Sequence, residues 1–142
     1  MLSRLKSKFE VLVKGPVAVL ARLGFTPNHL TLIGLIMSLL CFYLFFQRHA
    51  VLAGFVLLVC GLFDAMDGAL ARYTGLSTTF GALFDSVSDR YSDFFVIAGM
   101  ILGGLVNMGW GLLAILGSFM VSYVRARGEA AGAGKLLSLI HI

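Results

Sequence analysis

Five aspartates interrupt an otherwise apolar stretch in the middle of the chain, and they make up most of its seven acidic residues. In order they are Asp64, Asp67, Asp85, Asp89 and Asp93. The first two are three positions apart and the next two are four apart, so each pair projects from one face of a helix. Two antiparallel helices joined by the short loop near 73–78 would bring these acidic faces together.

The charge of these carboxylates suggests what they do. A carboxylate at the centre of a bilayer costs about 2.5 kcal/mol or more, so it normally has a partner and a function. Several unpaired anions in one low-dielectric site repel each other, and a divalent cation removes that conflict. With no Cys or His expected nearby, the site favours Mg²⁺ or Mn²⁺ over zinc. Four carboxylates can hold two such ions, an arrangement suited to in-line displacement at phosphorus.

The composition indicates where this site lies. Of the 142 residues, 59% are hydrophobic and 13% are charged, whereas soluble domains carry about 25% charged residues. The longest uncharged run, 94–124, is too long for one membrane helix and has glycines in its middle, so we divide it between two. Cys41 and Cys60 fall inside predicted spans, as small apolar residues. The sequence predicts an all-α, polytopic transmembrane bundle with spans at about 28–47, 51–72, 79–103 and 108–127.

Basic residues flank the predicted spans and orient them. Five Lys or Arg residues lie within residues 1–22, which we expect to form an amphipathic helix on an anionic leaflet, with a loose basic tail as the alternative. Arg125 and Arg127 follow the last span. The positive-inside rule therefore predicts an integral, multi-pass protein of the cytoplasmic membrane, with the acidic cluster near the cytoplasmic face. We attribute the net charge of +4 to this topology and expect no nucleic-acid partner.

The residues between the acids complete a pattern that resembles a known family motif. It reads Asp64-x-x-Asp67-Gly68-x-x-Ala71-Arg72, eight further residues, then Gly81-x-x-x-Asp85-x-x-x-Asp89. All eight fixed positions match the motif of the CDP-alcohol phosphotransferase family with the right gaps. The resemblance extends on both sides, from Thr26-Pro27-Asn28 to Glu129, and covers most of the chain.

The resemblance implies a reaction and a role for each motif residue. Family members displace CMP from a CDP-linked lipid with the hydroxyl group of a second alcohol. By this resemblance Asp89 is the catalytic base, and the two metal ions are held by Asp64, Asp67, Asp85 and Asp89. The implied residues of the CDP site are Asp64, Asp67, Gly68, Ala71, Arg72, Gly81 and Asp85. The family also implies a homodimer, which Gly99-x-x-x-Gly103 supports only weakly.

A second patch, Ser122 to Ala130, bears on the acceptor alcohol. Together with Asp89-Arg90 and Ser92-Asp93 it is similar to family members that use inositol phosphate, the phosphatidylinositol phosphate and archaetidylinositol phosphate synthases. The resemblance implies that Arg125 and Arg127 bind the phosphate of the acceptor. Two alternatives stay open: the arginines are plain membrane anchors, or the acceptor is glycerol 3-phosphate.

Functions from other classes explain less of the sequence. Intramembrane acids also build ion or proton pathways in transporters, but a transporter leaves Gly68 and Ala71-Arg72 unexplained. A membrane prenyltransferase also uses aspartates to bind a diphosphate, yet with a different spacing. Asp93 lies outside the motif, and we expect it to pair with Arg90 rather than to orient a ligand.

The chain departs from the family pattern in two respects. Family members usually have about six spans, whereas four are predicted here. Residues 137–142 read Leu-Ser-Leu-Ile-His-Ile, which is what a transposon adapter used in sequencing libraries would encode. We therefore expect residues 1–136 to be the N-terminal part of a longer membrane domain and 137–142 to be a non-native tail.

Overall fold

The computed structural model describes residues 15–132, and the regular structure in that range is helical throughout. The helices are α1 (residues 15–22), α2 (Pro27–Phe46), α3 (Ala50–Thr74), α4 (Thr79–Leu102) and α5 (Met108–Ala130). The all-α prediction is confirmed, and α2 to α5 match the four predicted spans to within a few residues. The predicted interfacial helix 1–22 is helical over residues 15–22. Its remainder and the predicted tail 137–142 lie outside the described residues.

Three of the helices, α2, α3 and α5, are long and apolar enough to cross a membrane. With 24 residues, α4 is about 36 Å long and could also cross a bilayer. Its composition is less apolar because it carries Asp85, Asp89, Arg90 and Asp93 within three turns. The protein is thus a membrane helical bundle, and the fourth span stays a prediction from helix length and position.

Local signals set the helix ends that fix the topology. Pro27 occupies the first turn of α2, where its missing N–H costs nothing. Gly75 ends α3 with a φ of 68°, a left-handed conformation that favours glycine. Thr78 caps α4, since its hydroxyl oxygen accepts a hydrogen bond from the Gly81 amide at 2.9 Å. The resulting short connections reverse the chain twice, so α3 runs antiparallel to both α2 and α4.

The helix at the centre of the bundle is α2, which packs against α3 on one side and α4 on the other, while α5 packs against α4. The acidic faces of α3 and α4 do face each other, as the sequence predicted. However, they do so across a cavity walled by α2 rather than by direct helix packing. This gap provides the space for a ligand between the two acidic helices.

Two glycines allow α2 and α4 to approach each other closely. A Cβ atom added at Gly99 would lie 2.7 Å from the carbonyl oxygen of Phe42, and one added at Gly103 would collide with that of Phe45. Small residues permit such backbone contact between membrane helices. The Gly99-x-x-x-Gly103 pattern is therefore used inside the chain, and its interpretation as weak support for a dimer interface was wrong.

Two apolar clusters flank the cavity along the bundle. At one end, Cys41 and Ala53 are fully buried beside Val96. At the other end, Val17 of α1 packs with Leu30 and Leu70, which anchors α1 to α2 and α3. Both cysteines are buried and free of disulfide bonds, in agreement with their predicted role as small apolar residues.

Replacing Gly99 by Ala is expected to destabilise the bundle by about 1–3 kcal/mol, the usual cost of overpacking, because the new methyl group meets the Phe42 backbone. Gly54→Ala is the matched control, since nothing lies within 4 Å of a Cβ at that position. The unfolding temperature of both variants is measured in detergent, with unfolding detected by the labelling of Cys41 and Cys60 with a maleimide dye. Equal unfolding temperatures would contradict the close α2–α4 contact.

Candidate active site

Three of the predicted metal ligands converge at one point between α3 and α4. Asp64 and Asp67 come from α3 and Asp85 from α4, and one carboxylate oxygen of each lies within 4.8 Å of the others. Asp67 is 5% exposed, whereas Asp64 is open to the cavity. The helical spacing read from the sequence therefore does bring these three acids together.

Asp89 lies one turn further along α4, outside that group of three. It lines the same cavity, with its carboxyl group beside that of Asp64. The position separates Asp89 from the tightest part of the cluster and leaves it facing open space. Such a carboxylate can reach a hydroxyl group that enters the cavity, as a general base must.

The unsatisfied polar atoms of the cluster fit a cation. The Oδ1 atom of Asp85 is buried and has no hydrogen-bond partner, although buried polar atoms in folded proteins almost always have one. The hydrogen-bond donor that reaches the cluster from α2 is Thr31, which serves Asp67 instead. An oxygen-only ligand set of this kind suits Mg²⁺ or Mn²⁺.

One expectation about the surroundings of the cluster was wrong. Cys60 is one turn from Asp64 on α3 and lines the same cavity, whereas the sequence was expected to place no Cys nearby. Its thiol donates to the carbonyl oxygen of Gly34 at 3.4 Å. The sulfur is thus engaged with α2, and the preference for an oxygen-bound ion is unchanged.

Thr31 is a site residue that the sequence did not single out. Its hydroxyl group donates to Oδ2 of Asp67 at 3.0 Å, and both side chains are buried. The same hydroxyl group lies 3.2 Å from the carbonyl oxygen of Pro27. Because Thr31 donates to Oδ2, it restrains the orientation of the Asp67 carboxylate beside the cluster. The sequence did contain one signal for this role, because Thr31 is a hydroxyl residue in an apolar helix, one turn after Asn28.

The acids lie at the junction of two cavities. The larger, about 480 Å³, extends along α2, α3 and α4 and contains all five aspartates of the stretch in its wall. The smaller, about 270 Å³, lies near the 75–78 loop, and the motif residues in its wall are Asp67, Gly68, Ala71, Arg72, Gly81 and Asp85. Thr31, Asp67 and Asp85 line both cavities. A ligand in either cavity therefore meets the same carboxylates.

The two motif glycines differ in their surroundings. A Cβ atom at Gly81 would lie 3.0 Å from side-chain oxygens of both Asn28 and Thr78, so part of its role is close packing of α4 against the start of α2. A Cβ atom at Gly68 would meet only Nη1 of Arg72, at 3.5 Å. The open surroundings of Gly68 leave space for a ligand against the backbone, which suits its implied place in the CDP site.

The structure does not bring the two predicted acceptor arginines into this junction. Arg125 is 80% exposed and pairs with Glu129 through its Nε atom at 3.3 Å. Arg127 is also exposed, and neither residue lines the two cavities that share the acids. Because α4 and α5 are antiparallel, the C-terminal end of α5, which carries both arginines, lies beside the N-terminal end of α4.

The sequence profile described as CDP-alcohol phosphatidyltransferase matches residues 25–136, which include every motif position and all four long helices. The chain belongs to the CDP-alcohol phosphatidyltransferase family. This membership confirms the resemblance read from the motif and the predicted class of enzyme, a transferase of phospholipid synthesis.

Two relatives illustrate where this chain lies within the family. It is 46% identical over 136 residues to an archaetidylinositol phosphate synthase of Pyrococcus horikoshii, covering 96% of this chain and 72% of the relative. It is 36% identical over 130 residues to a phosphatidylinositol phosphate synthase of Mycobacteroides abscessus, covering 84% of this chain and 58% of the relative.

The fold agrees with solved structures of a Mycobacterium tuberculosis phosphatidylinositol phosphate synthase. The crystal structure with CDP-DAG bound aligns with a TM-score of 0.73 and 33% identity, over 84% of this chain and 64% of that one. A complex of that protein with manganese and citrate aligns with a TM-score of 0.74 over 84% and 61%. The chain thus spans somewhat less than two thirds of these solved proteins.

Thr31→Val is expected to weaken Mn²⁺ binding about tenfold, because loss of a hydrogen bond to a metal ligand typically costs 10–100-fold in affinity. The matched control is Thr74→Val. The hydroxyl group of Thr74 donates to the carbonyl oxygen of Leu70 in its own helix and has no bond to an acid. Titration of the thermal unfolding temperature with Mn²⁺ compares the variants. Identical Mn²⁺ affinities would show that Thr31 does not orient Asp67.

Proposed function

We propose that this chain carries the catalytic part of an enzyme that transfers a phosphatidyl-type group from a CDP-linked lipid to an inositol phosphate, releasing CMP. The observation that carries the proposal is the position of the motif acids, which meet at the junction of two cavities. The names of the relatives support inositol phosphate over glycerol 3-phosphate as acceptor.

The smaller cavity is the proposed site of the CDP group. Gly68 and Ala71 give its wall little side-chain bulk, and Arg72 supplies a positive charge suited to phosphate. Asp67 and Asp85 at its inner end would then lie beside the diphosphate. Binding there leaves the lipid part of the donor free to extend into the membrane.

Asp64, Asp67, Asp85 and Asp89 are the residues that would hold Mg²⁺ or Mn²⁺, with two ions expected from the number of carboxylates. When bound, the cations neutralise the charge of the diphosphate oxygens. The buried, unpartnered Oδ1 atom of Asp85 supports this assignment. A manganese complex of a related synthase agrees with it.

Asp89 is the proposed general base. As the acceptor oxygen attacks the phosphorus that bears the lipid, the Asp89 carboxylate takes the hydroxyl proton. The new bond joins the acceptor oxygen to that phosphorus, and the bond to the bridging oxygen breaks so that CMP leaves. Proton transfer of this kind contributes about 10²–10⁴-fold in rate. The position of Asp89 in the larger cavity, beside Asp64, supports the role.

Arg125 and Arg127 are the proposed ligands of the acceptor phosphate. Both lie at the end of the bundle that holds the smaller cavity. Arg125 would have to exchange Glu129 for the phosphate, which is feasible because this ion pair is exposed and such pairs contribute little. The alternative of plain membrane anchors predicts no effect of these arginines on the acceptor.

Location and assembly complete the proposal. By the positive-inside rule, the basic residues support a position of the acidic cluster near the cytoplasmic face of the cell membrane. The proposed homodimer rests on the family resemblance, since Gly99 and Gly103 face α2. A transporter, the alternative from another class, would move a cation without any effect of CDP.

Purified protein with a CDP-linked lipid, inositol phosphate and Mg²⁺ is expected to release CMP, and Asp89→Asn is expected to lower kcat about 10²–10⁴-fold. Stabilisation of the Asp89→Asn protein by CDP with Mn²⁺ should persist, which separates loss of the base from loss of binding. Turnover with glycerol 3-phosphate but not with inositol phosphate would contradict the acceptor assignment. Cation flux without any nucleotide effect would favour the transporter.

Arg125→Gln and Arg127→Gln are each expected to raise the KM for inositol phosphate about tenfold or more, since a charge-assisted hydrogen bond contributes roughly 1.5–3 kcal/mol. The KM for the CDP-linked lipid should not change. Arg48→Gln, in the connection between α2 and α3, is the control and should leave both constants unaltered. Unchanged acceptor KM values in both variants would assign the two arginines to membrane anchoring.

A further inference from the structure

Among the residues that line the larger cavity, Arg90 is the one with a basic side chain. It directly follows Asp89 in α4 and lies outside the family motif. Consecutive residues of a helix do not face each other, so the long Arg90 side chain has to bend back to form a close, bidentate pair with Asp89. Here the distance from Nη2 of Arg90 to Oδ2 of Asp89 is 3.8 Å. The guanidinium group therefore lies at the edge of ion-pair distance from Asp89, and its other contacts decide whether it can come closer.

The restraint comes from one residue of α4 and one of α5. Nη1 of Arg90 donates to the carbonyl oxygen of Ser118 at 3.3 Å and lies 3.2 Å from the Ser118 hydroxyl oxygen. The same Nη1 atom pairs with Oδ2 of Asp93 at 3.4 Å, as the sequence predicted. The Ser118 hydroxyl group donates to Asp93 in turn. Arg90, Asp93 and Ser118 thus form a closed set of contacts, which we call the brace.

The brace is also the polar connection between α4 and α5. Across residues 15–132, the side-chain hydrogen bonds that join these helices are those made by Ser118. Apolar contact between the two helices includes Gly111 against Ile101, more than two turns from Arg90 along α4. Because α5 buries little of its surface, the brace is a main contact that fixes the middle of α5 relative to the larger cavity.

We propose that the brace is a positioning device, which keeps Arg90 from forming a close ion pair with Asp89 and so leaves Asp89 directed into the cavity. Arg90, Asp93 and Ser118 are positioning residues in this scheme, since they act through Asp89. The proposal rests on the proposed function, because Asp89 acts there as the base. It also makes the direction of Asp89 depend on the placement of α5, the helix that carries Arg125 and Arg127 near its C-terminal end.

Ser118→Ala and Asp93→Asn are each expected to lower kcat about tenfold or more, because small misplacements of a catalytic group reduce the rate steeply. The KM for the CDP-linked lipid and the stabilisation by CDP with Mn²⁺ should not change. The double variant should be no more than about twofold slower than the slower single variant, since both changes release the same guanidinium group. Arg90→Lys should be slow as well, because an ammonium group keeps the charge but not the planar fork.

Gly117→Ala is the control, since it alters the position next to Ser118 on α5 where nothing lies within 4 Å of a Cβ. It should retain wild-type kcat. The proposal would be overturned if Arg90→Lys kept the wild-type kcat. It would also be overturned if Ser118→Ala lowered the unfolding temperature but left kcat unchanged. If the wild-type protein releases no CMP, the proposed function fails. The brace is then tested by unfolding temperatures, where strictly additive effects of Arg90→Lys and Ser118→Ala would overturn it.

Discussion

The mutual repulsion of carboxylates in a membrane bundle is the constraint on which the rest of this structure depends. Asp64, Asp67 and Asp85 have oxygens within 4.8 Å of one another, and one buried oxygen of Asp85 has no partner. Such an arrangement is costly in a low-dielectric interior unless cations compensate it. The helices therefore have to hold the acids together while keeping open space beside them, which the two cavities provide.

The central helix, α2, meets both requirements. On one side its backbone contacts Gly99 and Gly103 of α4 closely. This contact fixes the position of α4 along the bundle relative to α3, across the cavity. At its other end, Thr31 fixes the orientation of Asp67. Because α2 separates α3 from α4, the acids meet across space rather than in a packed interface. That space is continuous with the smaller cavity lined by the motif residues.

Much of this was predictable from the sequence, for physical reasons that also explain the limits. The three- and four-residue spacing of the aspartates is a local property of a helix, so their convergence followed from the chain alone. The pairing of Asp93 with Arg90 followed in the same way. Thr31 and Ser118 were not foreseen, because a hydroxyl group in an apolar helix gives no sign of which distant side chain it contacts. The same limit led to the misinterpretation of Gly99 and Gly103, since the sequence does not specify which helix a small-residue face contacts.

The proposed metal centre is tested most directly by the number of Mn²⁺ ions bound per chain, measured in detergent from the free-ion signal by electron paramagnetic resonance. We predict that the wild-type protein binds two Mn²⁺ ions at saturation, and that Asp85→Asn removes most of this binding although its fold is kept. Absence of bound Mn²⁺ in the folded wild-type protein, or binding that Asp85→Asn leaves unchanged, would contradict the assignment of these acids to a metal centre.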